Sequence, residues 1–210
     1  LKTDLLSDLQ ERFNELKAEG RDDETAFEMT INSIGDIDQT LQEVASLSRS
    51  LERQLLTNFS AASLGKSDFA GVTAHKGEFK ASDLRGSDFS GADLTGSTFI
   101  VSDVREVNFN GTNLTDCNFN VLDLSGSSFL KSILVRTNFD KSCLDGAKFI
   151  DVKLIDVKLT MSDLRNTVFE NCTFEGVDFQ YSDMRGLCMD GQKFIGVKFD
   201  KAAMNEVTFK

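Results

Sequence analysis

The chain has 210 residues, which is enough for one or two domains with a sizeable core. Its 34 acidic and 23 basic residues give a formal charge of −11, which opposes direct binding of nucleic acid or of anionic membranes. No run of 18 apolar residues is present to span a bilayer. The four cysteines lack metal-ligand spacing and there is one histidine, so the sequence predicts a cytoplasmic protein with reduced thiols, no metal and no cofactor.

The first 56 residues carry a net charge of −7 and have apolar residues at helical spacing. They predict one helix over about residues 3–19, which ends at Gly20 because glycine favours a left-handed cap. A second helix is predicted to begin at Asp22 or Asp23 and to end before Gly35. Its predicted apolar face consists of Phe27, Ile31 and Ile34.

A third helix is predicted to begin at Asp36 and to lead directly into the segment that follows. Residues 11–41 resemble the HAAS-type helical module found at the start of bacterial regulatory and membrane-associated proteins. The shared features are an acidic first helix that ends in Glu19-Gly20, an acidic start to the second helix, and the turn Ile34-Gly35-Asp36. The resemblance implies a module that mediates protein contacts and brings no catalytic residues.

A five-residue period runs without interruption from Phe59 to Phe209. The 31 central positions of this period hold 16 Phe, 10 Leu, 3 Met, Val104 and Ala74. The residue two before each centre is small or β-branched with few exceptions, and glycine occupies the position two after it eleven times. Such a unit can place one large and one small side chain inward, and then turn a corner where Gly or Asn tolerates the backbone angles.

Units such as Ala92-Asp93-Leu94-Thr95-Gly96 follow the pattern A(D/N)LXX, so residues 57–210 resemble the pentapeptide-repeat family over their whole length. The resemblance implies a right-handed quadrilateral β-helix with four pentapeptides in each coil. The predicted fold class is therefore mainly β, with a solenoid of about eight coils over residues 57–210 and an α-helical module in residues 1–56. The third helix is predicted to cap the first coil, because an open edge would invite association.

Four triplets of the form Asp-Leu/Val/Met-Arg independently support a coil of twenty residues. They start at Asp83, Asp103, Asp163 and Asp183, so their spacings are 20, 60 and 20 residues, and they must share one face. Two of the four faces then have mainly Phe centres and the other two have mainly Leu centres. The predicted structural core includes the centres Phe89, Phe109, Phe129, Phe149, Leu84, Leu124 and Leu144.

The Asp and Arg side chains of these triplets could bind an ion or a phosphate, but we favour an exposed ladder in which they neutralise one another between adjacent coils. His75 lies at an outward position with no nucleophile placed near it by the repeat. Cys117 and Cys172 fall at the small inward position and are predicted to be inert core thiols. Since no catalytic constellation forms, the sequence predicts that the protein is not an enzyme.

Apolar residues also occupy outward positions in the middle of the solenoid. They are Leu130 and Ile150 on consecutive coils of one face, and Ile133, Val135 and Ile155 on the next face at the same height. Five such side chains predict a contact surface, which either the N-terminal helices or another protein would cover. A smaller patch is predicted on another face from Ile100, Val101 and Val121.

The sequence is compatible with two functions. The first is a non-enzymatic interaction or scaffold protein of bacterial cytoplasm, with an unidentified protein partner and with its C-terminal end as a candidate homodimer interface, as the resemblance implies. The alternative is modulation of a type II topoisomerase (gyrase) by imitation of DNA, the best-known activity attributed to the family and the basis of quinolone resistance. The four faces carry net charges of +1, −3, −2 and 0, which favour the first function because a DNA mimic needs a concentrated negative surface.

Overall fold

The computed structural model describes the backbone of residues 2–33 and 58–210, and the side chains of residues 10–31 and 58–210. The chain divides into two compact units, Leu1–Glu52 and Arg53–Lys210. The third predicted helix lies outside the described residues.

Two helices form the described part of the first unit, α1 (Lys2–Ala18) and α2 (Asp23–Ser33). Gly20 ends the first helical segment with a φ of +88°, and its N–H donates to the carbonyl of Lys17 at 3.0 Å. Asp22 caps α2, because its carboxylate accepts the N–H of Thr25 at 2.9 Å. That bond lowers the pKa of the Asp22 carboxyl group.

The predicted apolar face of α2 is wrong in its described part. Phe27 is 60% exposed and Ile31 is 39% exposed, whereas Ala26 and Thr30 are buried. Ala26 and Thr30 lie one turn apart on the same side of α2, and α2 contacts α1. The buried side of α2 therefore carries small side chains, and the larger apolar residues lie on the solvent side. Ile34 is outside the described residues.

Residues 58–210 form a β-solenoid whose register advances by twenty residues per coil. The isolated bridges are parallel and join residues twenty apart, from Asn58–Glu78 to Cys188–Thr208. Four pentapeptides therefore make one coil, and residues 58–210 make more than seven coils. We name the four faces by their centres in one early coil: the Phe79, Leu84, Phe89 and Leu94 faces.

The centres of the repeat fill the interior of the solenoid. Those from Phe79 to Met189 are at most 4% exposed. Phenylalanine rings stack along the Phe79 face, where the centroids of Phe79 and Phe99 are 4.6 Å apart, and they meet rings of the Phe89 face edge-on, as Phe79 meets Phe89 at 89°. The seven core residues that the sequence predicts are each at most 1% exposed: Leu84, Phe89, Phe109, Leu124, Phe129, Leu144 and Phe149.

The type of the residue just before each centre determines whether the unit can form an Asx bond. At fourteen units this residue is Asp or Asn, and in all fourteen its side chain accepts the N–H two residues further on, as Asp83 does from Arg85 at 3.1 Å. This Asx bond competes with ladder pairing. Every described strand begins instead with another residue type.

The eight strands in the described part of the chain have three residues each and pair in parallel. They are β1 (Glu78–Lys80), β2 (Thr98–Ile100), β3 (Ile133–Val135), β4 (Lys148–Ile150), β5 (Lys153–Ile155), β6 (Val168–Glu170), β7 (Thr173–Glu175) and β8 (Lys193–Ile195). β3, β5, β7 and β8 form a four-stranded sheet on the Leu94 face, and β1–β2 and β4–β6 form two-stranded sheets. The largest of these sheets therefore lies on the Leu94 face.

The residue two after each centre turns the corner between faces. All thirty of these residues from Ala61 to Glu206 have a positive φ, and eleven of them are glycine. Among the nineteen others, Val101 and Val121 are the two with β-branched side chains.

Hydroxyl groups at the small inward position bond between coils. Ser102 Oγ donates to the carbonyl of Phe79 at 2.8 Å, and Thr112 Oγ1 donates to that of Phe89 at 2.7 Å. These bonds satisfy polar groups that the narrow interior would otherwise leave unpaired.

Candidate protein-contact surface

The five outward apolar residues singled out in the sequence lie together around one edge of the solenoid. β3 pairs with β5, so that Val135 lies opposite Ile155 and Ile133 lies opposite Lys153. Ile150 ends β4 on the adjoining Phe89 face, and Leu130 occupies the equivalent position one coil earlier. We call the set of Leu130, Ile133, Val135, Ile150 and Ile155 the central patch.

The central patch is only partly open to solvent. Ile133 is 50% exposed, and the other four side chains are half-buried against their neighbours. Charged side chains surround the patch: Lys148 and Lys153 begin β4 and β5, and the ammonium of Lys153 lies 2.8 Å from the carboxylate of Glu175. An apolar centre with a charged rim is the usual composition of a protein interface.

The structure adds one residue that the sequence reasoning missed. Ile195 ends β8 and is 57% exposed. It lies in the same row as Val135 and Ile155, with Glu175 between Ile155 and Ile195. Its signal was present in the sequence, because it follows a centre of the Leu94 face as Val135 and Ile155 do.

The arginines of the Asp/Arg ladder pair both within one coil and with the next coil. The expected pairing between adjacent coils is found for Arg85 and for Arg165, whose Nε lies 3.7 Å from a carboxylate oxygen of Asp183. Arg105, Arg165 and Arg185 each donate two N–H groups to the carboxylate two residues earlier. Such residues flank one inward-facing centre and therefore lie on the same outer side. Arg85 instead reaches the next coil, where its Nη2 lies 2.6 Å from Glu106.

These pairs make the ladder a self-neutralised surface. The hydrogen bonds from Arg185 lower the pKa of Asp183 to about 2. Bonds from Arg105 and Arg165 likewise lower the pKa values of Asp103 and Asp163. The carboxylates are thus engaged by the chain's own guanidinium groups, which leaves the ladder poorly suited to capture an ion.

His75 is also engaged by the chain itself. Its Nε2 lies 2.8 Å from a carboxylate oxygen of Asp93 on the next coil. The hydroxyl of Thr95 donates to the other oxygen of Asp93 at 2.6 Å, and not to the imidazole. The arrangement is therefore a hydrogen-bonded His–Asp pair and not an activated hydroxyl.

Two of the four thiols are deeply placed. Burial raises the pKa of Cys117 to about 12 and that of Cys172 to about 11. Cys143 is half-buried and Cys188 is exposed. In residues 2–33 and 58–210, no three metal-ligating side chains come together.

The repeat itself decides the family. A model of pentapeptide repeats matches the chain in 8 copies, over overlapping segments that run from residue 56 to residue 191. This chain belongs to the pentapeptide-repeat family. The match begins after the helical module, so the HAAS-type resemblance of residues 11–41 stays a prediction.

Several solved pentapeptide-repeat structures are similar to the chain. A protein from the thylakoid lumen of Arabidopsis thaliana is 32% identical over 46% of this chain, which spans 63% of that protein, with a TM-score of 0.35. QnrB1, a plasmid-mediated fluoroquinolone resistance protein, is 18% identical over 73% of this chain and 89% of its own, with a TM-score of 0.48. HetL from the cyanobacterium Nostoc sp. strain PCC 7120, involved in heterocyst differentiation regulation, is 18% identical over 69% of this chain and 73% of its own, with a TM-score of 0.33.

The family assignment rests on the repeat match and not on these structural likenesses. No curated protein matches the chain. In the part of the chain that the structure describes, neither helix has the length and apolar character needed to cross a bilayer.

Proposed function

We propose that this pentapeptide-repeat protein binds another protein through the central patch and carries out no chemical step. The observation that carries this proposal is Ile133, a large apolar side chain that is 50% exposed at the start of β3. It stands beside Val135 and Ile155 on the four-stranded sheet of β3, β5, β7 and β8. An exposed apolar surface with charged surroundings fits a protein partner better than a small ligand.

The chemistry of the chain supports a protein partner in bacterial cytoplasm. A net charge of −11 disfavours nucleic acid and anionic lipid as direct partners. All four cysteines are free thiols, as is usual in a reducing compartment. The engaged ladder, the His75–Asp93 pair and the buried thiols support binding without catalysis.

The alternative is modulation of a type II topoisomerase by imitation of DNA. The Leu84 face is the most acidic of the four, with a net charge of −3, and the Phe79 face has +1. Because Arg105, Arg165 and Arg185 neutralise carboxylates on the Leu84 face, its negative charge is dilute. We therefore rank this function second.

The proposal is tested by placing one charge in the central patch. Ile133→Lys changes the first residue of β3, and lysine already begins β4, β5 and β8, so the strand should tolerate it. Thr98→Lys is the matched control, because Thr98 begins β2 on the Phe79 face. Affinity purification from a bacterial lysate identifies a partner, and calorimetry with that purified partner then measures binding of the native chain and of each variant.

We expect Ile133→Lys to weaken binding at least tenfold and Thr98→Lys to leave it unchanged, with circular dichroism the same for both. Equal binding by the native chain and Ile133→Lys would rule out the central patch as the contact surface. A partner that binds only through residues 1–52 would also contradict the proposal.

A further inference from the structure

One edge of the solenoid differs chemically from the other three. The four edges are columns of corner residues, and the edge between the Phe79 and Leu84 faces holds Ala61, Ala81, Val101, Val121, Lys141, Met161, Tyr181 and Lys201. This column contains no glycine, asparagine or acidic residue, whereas the other three edges hold all eleven corner glycines and all the acidic corner residues. We call it the Val101 edge.

The large apolar side chains of the Val101 edge project into solvent. Val101 is 81% exposed, Val121 64%, Met161 53% and Tyr181 50%. No other edge carries a large apolar corner residue among the described residues. Ile100, which precedes Val101 on the Phe79 face, adds a side chain that is 43% exposed. The result is an apolar ridge along one side of the solenoid.

The two valines are unfavourable for the fold. Val101 has a φ of 53° and Val121 a φ of 60°, in the left-handed region where a β-branched side chain is a genuine outlier. Asn166 and Asn171 occupy the same corner position on other edges. Unlike valine, asparagine adopts the left-handed conformation readily. Because the valine side chains bury little surface in return, folding does not explain them. Residues that reduce stability without a packing gain are expected at binding surfaces.

The charged residues of the edge define the partner further. The ammonium of Lys201 lies 3.1 Å from the Tyr181 hydroxyl and 5.1 Å from its ring centroid, so it is held along the edge. Lys141 lies between Val121 and Met161 in the column. The ammonium of Lys141 lies 3.5 Å from a carboxylate oxygen of the preceding Asp140. The Lys141 side chain is 53% exposed and that of Asp140 is 21% exposed, so the lysine is the more accessible of the two charges.

We propose that the Val101 edge is a second protein-contact surface, which inserts into an apolar groove of a partner whose rim carries carboxylates. A convex apolar ridge requires a concave apolar surface, and Lys141 and Lys201 are complementary to acidic groups beside it. The central patch lies around the opposite edge of the solenoid, so both surfaces can be occupied together. The solenoid then bridges two proteins, and binding at the edge does not depend on the central patch.

Site-specific photocrosslinking tests this proposal in cells that naturally express the chain. A benzophenone amino acid replaces Val121 on the edge, and in a matched control it replaces Asn166, an exposed left-handed corner on another edge. The captured protein is purified, and its affinity is measured for the native chain, for Val101→Asn combined with Val121→Asn, and for Lys141→Glu.

We expect capture from position 121 and not from position 166. The double asparagine variant should bind at least tenfold more weakly while its melting temperature rises by about 2 °C or more, since asparagine suits the left-handed corner. Lys141→Glu should weaken binding, and added salt should reduce the difference between Lys141→Glu and the native chain.

Several results would overturn the proposal. They are the absence of capture at position 121, capture of a second copy of this chain alone, and unchanged affinity of the double asparagine variant. Loss of binding together with a lower melting temperature would also count against it, because the valines would then be structural. Ile133→Lys keeps the Val101 edge intact, so failure of the central patch and failure of the edge are separate outcomes.

Discussion

At the scale of single residues, position within the five-residue unit determines what each side chain does. Centres supply the packing, small inward residues supply interior hydroxyl bonds, and the residue before the centre supplies the Asx bond. Phe109 illustrates the first role, since it is fully buried and stacks between Phe89 at 5.7 Å and Phe129 at 5.3 Å. Each such residue contacts coils on both sides, so its loss should affect the whole solenoid.

We expect Phe109→Ala to lower the free energy of unfolding by about 3–5 kcal/mol, the range found for large-to-small changes of buried aromatic residues. Phe209→Ala is the control, because Phe209 is 48% exposed on the last coil. It should cost less than half as much. Urea denaturation followed by circular dichroism measures both values, and equal losses would contradict the difference in burial.

Thiol reactivity offers a second test at this scale. Cys188 is exposed, whereas burial raises the pKa of Cys117 to about 12 and that of Cys172 to about 11. Because the thiolate is the reactive form, iodoacetamide at pH 8 should label Cys188 in the folded chain and spare Cys117 and Cys172. Mass spectrometry of tryptic peptides locates the label. Labelling of Cys117 without denaturant would show that the interior opens more readily than its packing implies.

At the scale of elements, the aspartates of the Asp/Arg pairs have two roles: they accept a backbone N–H and they bind an arginine side chain. Asp183 accepts the backbone N–H of Arg185 and two N–H groups of its guanidinium, and its side chain is 26% exposed. These bonds lower the pKa of Asp183 to about 2 from 3.8. Since the folded state favours the carboxylate, the stabilisation is fully present above about pH 4 and is lost as the pH falls toward about 2.

We therefore expect the stability difference between the native chain and Asp183→Asn to be constant above pH 4 and to shrink between pH 4 and 2. Thermal unfolding at a series of pH values measures it. Arg185→Gln removes the same pair from the other side and should give the same pH dependence. If the difference stays constant down to pH 2, the arginine does not stabilise the carboxylate.

The sequence predicts the solenoid well and the helical unit less well, for a physical reason. In residues 58–210 one period repeats through every coil, so centres, corners and the twenty-residue register are all visible as patterns. α2 has eleven residues and no repetition, and its buried side holds Ala26 and not Phe27 or Ile31, so apolar spacing alone does not identify the side that packs. Arginine pairing was also unpredictable, since a flexible side chain can reach its own coil or the next, as Arg185 and Arg85 do.

The candidate surfaces were predictable only as positions. The sequence identifies outward apolar residues such as Ile133 and Val101, but it does not give their exposure. The structure leaves Ile133 half exposed and Val101 almost fully exposed, while Leu130 and Ile150 are partly covered by their neighbours. That difference depends on side chains one coil away, and these are twenty residues apart in sequence.

At the scale of the whole molecule, the last described coil bears on self-association. Phe209 is 48% exposed, and Phe194 and Phe199 are only partly buried. For the chain of residues 1–210 we predict a homodimer through this coil, because the coil of a second copy could cover these rings and pair with the strand edge. Analytical ultracentrifugation measures the assembly state. Phe209→Asp should give monomers, and Tyr181→Asp on the Val101 edge should still give dimers.

The ranking of the DNA-mimic function is tested at the same scale. Duplex DNA presents one negative charge per about 1.7 Å of axis, so a solenoid of about eight coils spaced by about 4.8 Å would need on the order of twenty along one surface. The Leu84 face has a net charge of −3, and arginines also pair with its Asp103, Asp163 and Asp183. We expect that the chain, added in stoichiometric amounts to purified gyrase, neither inhibits supercoiling nor protects the enzyme from a quinolone. Inhibition or protection that disappears when these aspartates are changed to asparagine would reverse the ranking of the two functions.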